Sequence, residues 1–256
     1  MEDIYLKQYN PEGSPLRELQ LRLLNILIAF DDYCTKNNLK YSLAFGTLLG
    51  AVRHKGFIPW DDDVDVMMTR QQWNDLIRVA GTDEGYITDH LYIRRRLKPE
   101  ICLDGVGMID LFIIDDCPNT KLKQLIKRTT LQILQWLYRC RLYYSAWRAG
   151  GHPHLKIWLL LLPISFLQSK EKWQKYWDNV ILWFSTEYNN YMCCYTAAVR
   201  DIPKLYPKSA FDDTIDLYFE GRQFPCIAGY NAFLASRYGD YMSLPKNIRN
   251  HGRITK

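Results

Sequence analysis

The sequence has no CxxC pair, no long apolar run and, over one extended stretch, no acidic residue. Its seven cysteines stand singly apart from the neighbours Cys193 and Cys194. An odd count without metal-type spacing excludes a disulfide framework and a zinc module, and predicts reduced thiols in a cytoplasmic protein. The opening MEDIYLKQYN has no apolar signal region. The longest apolar run, Ile157–Leu167, has eleven residues and contains Pro163 and Ser165. Crossing a bilayer takes about 20, so the expectation is a non-integral protein, with peripheral attachment to the inner membrane face left open. There is also no Walker loop and no GxGxxG, which excludes the usual nucleotide cradles.

The acid-free stretch runs from Cys117 to Lys170 and holds Lys121, Lys123, Lys127, Arg128, Arg139, Arg141, Arg148 and Lys156. A patch of one sign attracts phosphates or an anionic membrane. Trp136, Tyr138, Tyr143, Tyr144 and Trp147 are interleaved with these cations, as in surfaces that rest on lipid. The solvated basic face of an ordinary helical subdomain accounts for the same pattern, and both readings stay open here. The whole chain carries only +5, too little for a dedicated nucleic-acid binder.

What is present suits a folded domain. The 256 residues are 48% apolar, enough for one large domain or a domain with a helical extension. Ser14-Pro15 starts a helix that the spacing of Leu16, Leu19, Leu23, Ile26, Leu27 and Phe30 carries to about Asn37. Tyr41–Phe45 reads as a strand, Thr47–Arg53 as one or two helical turns, Lys55–Trp60 as a loop and Val64–Met68 as a second strand. Arg70–Ala80 reads as a helix, and Tyr86–Arg95 and Val106–Ile114 as two further strands. From Lys121 to about Tyr188 the pattern is helical, with Leu122, Leu125, Ile126, Ile133, Leu134 and Leu137 on one side and a break at Gly150–Pro153. Tyr218–Ile227 reads as a hairpin and Tyr230–Arg237 as a helix. This is an α+β plan: a core over residues 1–118, then a mainly helical, aromatic and basic accessory region over 119–256 whose C-terminal hairpin and helix pack back on the core.

The most informative stretch is Trp60-Asp61-Asp62-Asp63-Val64-Asp65-Val66. Four carboxylates within five residues repel one another, and a cation relieves the repulsion. In an extended chain alternate side chains share a face, so Asp63 and Asp65 point together, with Asp61 or Asp62 as a possible further ligand. Such oxygen donors suit Mg²⁺ or Mn²⁺. An EF-hand is excluded, because Val66 stands where its glycine must be and Gln72 where its glutamate must be. A solvated acidic turn is a poor reading, since Val64, Val66, Met67 and Met68 weld the acids to a core strand. Asp110, inside the apolar run Met108–Ile113, is the best third carboxylate, because a buried acid needs a compensating partner. Asp115 and Asp116 are weaker choices, lying where that strand is expected to end. Upstream, Phe45-Gly46-Thr47 offers backbone amides and a hydroxyl at a helix start, where phosphates bind, and Arg53 can add a bidentate contact. His54, Lys55 and Trp60 lie between these motifs and are expected to contact substrate. His152 and His154 read as a surface loop.

A glycine turn, an Asp-x-Asp on the next strand and a lone Asp on a later strand resemble the polymerase-beta-type nucleotidyltransferase fold. The block GTLLGAVRHKGFIPWDDDVDV resembles more closely the LicD family of phosphocholine transferases, to which fukutin-related proteins are more distantly similar. The resemblance runs from Tyr41 to about Met68, is fainter at Ile109–Asp115, and returns in the hairpin and at Tyr238-Gly239-Asp240-Tyr241 to Pro245. It implies that Asp63, Asp65 and Asp110 are catalytic and hold Mg²⁺ or Mn²⁺, that Gly46, Thr47 and Arg53 hold donor phosphates, and that His251 is near substrate. It further implies CDP-choline or another CDP-alcohol as donor, a glycan hydroxyl, free or lipid-linked, as acceptor, CMP as product, and no nucleic-acid partner. Two rival classes use the same acids: an Asp-x-Asp glycosyltransferase releasing a nucleotide from a sugar nucleotide, and a nucleotidyltransferase releasing pyrophosphate. A binding module with a vestigial site is the non-enzymatic alternative.

Overall fold

The computed structural model describes residues 10–148, 158–186, 188–196 and 204–244. Tyr143, Trp147, Arg148, His152, His154, Lys156, Pro245 and His251 lie outside the described residues or side chains. The fold is α+β and divides into two units. Residues 1–114 and 206–256 form the first; residues 115–205 form the second. The chain therefore returns to the first unit at Tyr206; the sequence pattern puts a boundary near 118 and has the C-terminal hairpin and helix pack back on the core.

In the first unit, helix α1 (Pro15–Lys36) starts as its sequence dictates. The Ser14 hydroxyl accepts the Arg17 N–H at 3.2 Å, and proline occupies the first helical position. Its buried side chains include Leu23, Ile26, Leu27 and Phe30. Strand β1 is only Ser42–Leu43, because Phe45 already opens helix α2 (Phe45–Arg53). The expected strand Tyr41–Phe45 is thus shorter than read, and the helix longer. Strand β2 (Asp65–Thr69) leads straight into helix α3 (Arg70–Ala80), whose Thr69 and Gln72 form a reciprocal capping box and whose C-cap is the left-handed Gly81.

The single strand expected at Tyr86–Arg95 is instead two, β3 (Gly85–Tyr86) and β4 (Leu91–Arg94), joined by a turn. Strand β5 (Glu100–Leu103) follows and was not expected. Strand β6 (Gly107–Cys117) is eleven residues long, so Asp115 and Asp116 lie within it and not at its end. The strands order as β1-β2-β6-β5-β4-β3. The β2/β6 pair is parallel and its other neighbours are antiparallel. Parallel pairing of β2 with β6 aligns Asp65 with Asp110, and antiparallel pairing of β5 with β6 aligns Glu100 with Asp110.

Tyr206 onward adds the short strand β8 (Tyr206–Pro207), a 3₁₀ turn at Lys208–Phe211, the hairpin β9 (Thr214–Phe219) and β10 (Arg222–Ile227), and helix α7 (Tyr230–Tyr238). The hairpin clamps the loop that leads to the acids. Glu220 accepts the Phe57 N–H at 3.0 Å and the Arg17 guanidinium at 2.8 Å, and its own N–H reaches the Lys55 carbonyl at 2.9 Å. A Cβ at position 56 would meet the Glu220 carboxylate, so a larger residue there would have to push that side chain aside.

The second unit holds helices α4 (Lys121–Arg148), α5 (Trp158–Ser165) and α6 (Lys170–Ile181) and strand β7 (Tyr191–Cys193), which pairs with the last three residues of β6. The apolar side read from sequence along α4 is split by the structure. Leu131, Leu134, Leu137 and Tyr138 are buried, whereas Leu122, Leu125, Ile126 and Ile133 are exposed. Arg141 lies 4.2 Å from the Phe166 ring centroid, a cation–π contact inside this unit. All seven cysteines are buried and unbridged.

Candidate active site

The site forms where β2, β6 and the N-terminus of α2 meet. Strand register puts Asp65 beside Asp110, and Asp63 precedes β2 by two residues on the same side. Carboxylate oxygens of Asp63, Asp65 and Asp110 all lie within 4.8 Å of one another. A second group, Asp61, Asp62 and Asp63, meets the same distance test, so Asp63 belongs to both. Asp65 and Asp110 are buried, as are Asp61 and Asp62. Burial, then the charges of Asp63 and Asp110, push the Asp65 carboxyl well above the usual carboxylate range. Burial, then Asp63, push Asp61 up to about 8. Such acids resist ionising together, and a divalent cation among them removes that resistance.

Two backbone–backbone hydrogen bonds and one from backbone to side chain hold the acids in place. The Asp65 N–H donates to Thr47 Oγ1 at 2.9 Å, the Ala44 N–H to the Asp65 carbonyl at 2.9 Å, and the Asp110 N–H to the Val64 carbonyl at 2.9 Å. Thr47 thus uses its oxygen lone pair on the acid strand and keeps its O–H to donate. Gly46 faces Asp61: a Cβ there would lie 2.7 Å from Asp61 Oδ2. The first turn of α2, with its free amides, therefore abuts the acidic turn.

Three residues at the site carry no signal in the sequence. Gln20, buried in α1, donates its amide to the Asp61 carbonyl at 2.9 Å and to the Ile58 carbonyl at 3.3 Å, anchoring the acidic turn. Lys98 pairs with Asp110 and sits 5.0 Å from the Phe112 ring centroid. Glu100, one strand beyond Asp110, is neutralised by Arg94 at 3.0 Å and Arg96 at 3.1 Å.

The remaining predicted residues are spread around the helix α2 exit. Arg53 donates to the carbonyls of Tyr241 at 3.0 Å and Ser243 at 3.1 Å and to His54 Nε2 at 2.9 Å. Its guanidinium is thus engaged with the C-terminal segment. His54 lies edge-on to the buried Trp60, with ring centroids 6.5 Å apart. His54 and Lys55 line a cavity of about 340 Å³ together with Arg17, Gln20 and Glu220.

The family model of the LicD/FKTN/FKRP nucleotidyltransferase domain matches residues 38–98, which hold the Gly-Thr turn, the acidic turn and Lys98. The lipopolysaccharide cholinephosphotransferase LicD of Haemophilus influenzae is 34% identical over 256 residues, covering 90% of this chain and 92% of that protein. The chain belongs to the LicD family. An uncharacterized protein of Rickettsia prowazekii is 42% identical over 66 residues, 26% of this chain and 23% of that protein. A second, from Rickettsia typhi, is 52% identical over 46 residues, 18% of this chain and 15% of that protein. As a LicD-family chain it is a transferase on an α+β, nucleotidyltransferase-type core.

Proposed function

We propose that this LicD-family chain transfers phosphocholine from CDP-choline to a hydroxyl of a lipopolysaccharide glycan or its lipid-linked precursor, releasing CMP. The observation that carries the reading is the Asp63, Asp65 and Asp110 cluster, within 4.8 Å and beside the first turn of α2, in a chain similar over 90% of its length to a lipopolysaccharide cholinephosphotransferase. The donor set is all carboxylate oxygen, which fits Mg²⁺ or Mn²⁺. Asp63, Asp65 and Asp110 would hold the ion. When bound, the ion supplies positive charge against donor phosphate oxygens.

The chain's own residues do the rest. The acceptor oxygen attacks the phosphorus that bears choline, the bond from that phosphorus to the CMP oxygen breaks, and CMP leaves with the electron pair. Asp110, steadied by Lys98, aligns the acceptor hydroxyl and takes its proton. Free amides of Gly46 and Thr47, with the Thr47 O–H, hold the donor phosphates at the helix start. His54 and Lys55, which line the cavity beside Gln20, and Trp60, edge-on to His54, contact substrate. In-line positioning supplies much of the rate in such transfers.

Purified protein incubated with Mg²⁺, a glycan acceptor and a panel of CDP-choline, CDP-ribitol, CDP-glycerol, CTP and UDP-sugars tests this. The expected result is CMP from CDP-choline alone, abolished by EDTA and by Asp63→Asn. Release of UDP would move the chain to the glycosyltransferases, and pyrophosphate from CTP to the nucleotidyltransferases.

A further inference from the structure

Helix α4 has one apolar face that stays exposed among the described residues. Leu122, Leu125, Ile126, Ile133 and Trp136 are between 38% and 67% exposed. At about 100° per residue these five fall within roughly 100° of arc and run for about 21 Å along the helix. The opposite face is fully used, with Lys127, Leu131, Leu134, Gln135 and Tyr138 buried. The helix contains no Asp or Glu. Lys121, Arg128 and Arg139 fall along one edge of the apolar stripe by the same periodicity, and Lys123 along the other. An exposed apolar stripe with a rim of one sign is what an interfacial helix presents to a charged bilayer.

A cavity of about 220 Å³ opens on the cationic edge, lined by Lys121, Gln124, Leu125, Arg128 and Tyr195. Leu125 belongs to both the cavity and the stripe. The Arg128 Nε is buried and has no hydrogen-bond partner among the described residues. Gln124 turns its amide to the Pro118 carbonyl at 2.7 Å. The buried Lys127 donates to the Asp116 carbonyl at 3.0 Å and lies 4.5 Å from the Tyr195 ring centroid, so positive charge also stands behind the wall. A buried guanidinium nitrogen lacking an acceptor favours an anion.

We propose that the second unit docks on an anionic lipid bilayer, with the α4 stripe in the headgroup–acyl boundary and a phosphate-bearing headgroup between Lys121 and Arg128. The inference rests on the reading that the glycan acceptor is lipid-linked, and gives that reading a surface and an orientation for the helix. It uses residues of the second unit that have no part in the transfer step, so it can fail while the transfer reaction stands.

Sedimentation with vesicles separates the two. The whole protein should bind vesicles of phosphatidylcholine with 30% phosphatidylglycerol and not vesicles of phosphatidylcholine alone. Lys121→Gln with Arg128→Gln should weaken binding on the order of 20-fold, since each cation near such a surface contributes about fivefold. Trp136→Asp should weaken it at least tenfold. Both variants leave the buried face of α4 untouched and should keep wild-type melting and wild-type CMP release with a soluble acceptor. Absence of binding to anionic vesicles, or binding indifferent to both variants, overturns the proposal. So does a thermal shift with inorganic phosphate, lost in Arg128→Gln, without vesicle binding, because the cavity then serves a free phosphate. Dimerisation abolished by Trp136→Asp, without vesicle binding, assigns the stripe to a second copy and likewise overturns it.

Discussion

Replacing Asp65 by Asn should make the metal-free protein more stable and the metal-loaded protein less so. The change keeps the shape and deletes one charge between Asp63 and Asp110. At the 4.8 Å limit of the cluster, two unit charges at an effective dielectric constant of about 20 repel by about 3.5 kcal/mol. Closer approach raises that figure, and three effects lower it. Asp63 is partly exposed, which screens it; Lys98 offsets Asp110; and the raised pKa of Asp65 means that proton uptake already relieves part of the repulsion. A net gain of about 1–2 kcal/mol remains, or about 2–8 °C in Tm for a chain of this size. The new amide meets carboxylates that can accept from it, so it is not left unpaired. With Mg²⁺ at a hundred times its Kd, the wild type should gain about 2.7 kcal/mol, and Asp65→Asn much less. The two melting curves should therefore exchange order between EDTA and Mg²⁺. Calorimetric or tryptophan-fluorescence melts under both conditions measure this. If Asp65→Asn melts below wild type in EDTA and shifts equally with Mg²⁺, the acids are neither mutually repelling nor metal-holding, and the site reading falls.

Three further outcomes follow from the same geometry. In EDTA the wild type should lose stability as pH rises towards 8: a carboxyl whose folded pKa is raised holds its proton in the native state and not in the unfolded one, so the stabilisation is present at low pH and lost as pH passes through the folded value. Asp61, pushed up to about 8, sets that window, and Asp61→Asn should flatten the fall in Tm between pH 6 and 8. Lys98→Met should tighten Mn²⁺ binding about fivefold, because a competing cation leaves Asp110, while CMP release slows; unchanged Kd by titration calorimetry would refute the pairing. Gly50→Ala should cost about 1–3 kcal/mol, because its Cβ would run into the backbone carbonyl of Gly56; denaturant unfolding reads the loss, and a neutral result would mean the α2 exit loop can shift.

The acidic core of the site was legible because two short-range rules sufficed. Alternation along an extended chain paired Asp63 with Asp65, and an acid inside an apolar strand singled out Asp110. Neither rule gives the β2/β6 register that brings them together. Strand β5 leaves no signature in the sequence, because its four residues lie between Pro99 and Gly105, too short to display a period. With β5 unseen, Glu100 and the neutralising Arg94 and Arg96 had no assigned place. Gln20 and Lys98 act across the tertiary structure, and nothing adjacent in the chain marks them. Arg53 reads as a phosphate ligand by chemistry, and nothing near it in the chain tells that its Nη1 donates to the carbonyls of Tyr241 and Ser243, nearly 190 residues on. On α4 the period was correct, but period alone cannot say which of two apolar flanks faces the core. The buried choice falls on Leu131, Leu134 and Leu137 because α5 and α6 pack there.

The strain at the head of α2 bears on how the site is held. Phe45 has φ +42°, a left-handed backbone that a bulky residue adopts at a cost of about 1–3 kcal/mol. It is the residue between Ala44, whose N–H is fixed on Asp65, and Gly46, which lies against Asp61. Relaxing Phe45 to an ordinary conformation would swing the helix start away from both acids. What opposes relaxation is the ring itself. It packs edge-on to Phe112 with centroids 4.7 Å apart and against Phe233 at 5.5 Å, under the Arg237 guanidinium at 5.1 Å. Phe112 stands two residues after Asp110 on the same strand and face. The side chain that enforces the turn therefore packs on the strand that carries the third acid, and on the helix that follows the C-terminal hairpin. Truncating the ring by Phe45→Ala would remove the restraint and leave the sequence motif intact. Carboxylates alone are then insufficient: their disposition against the α2 amides depends on an aromatic contact made by elements at opposite ends of the chain.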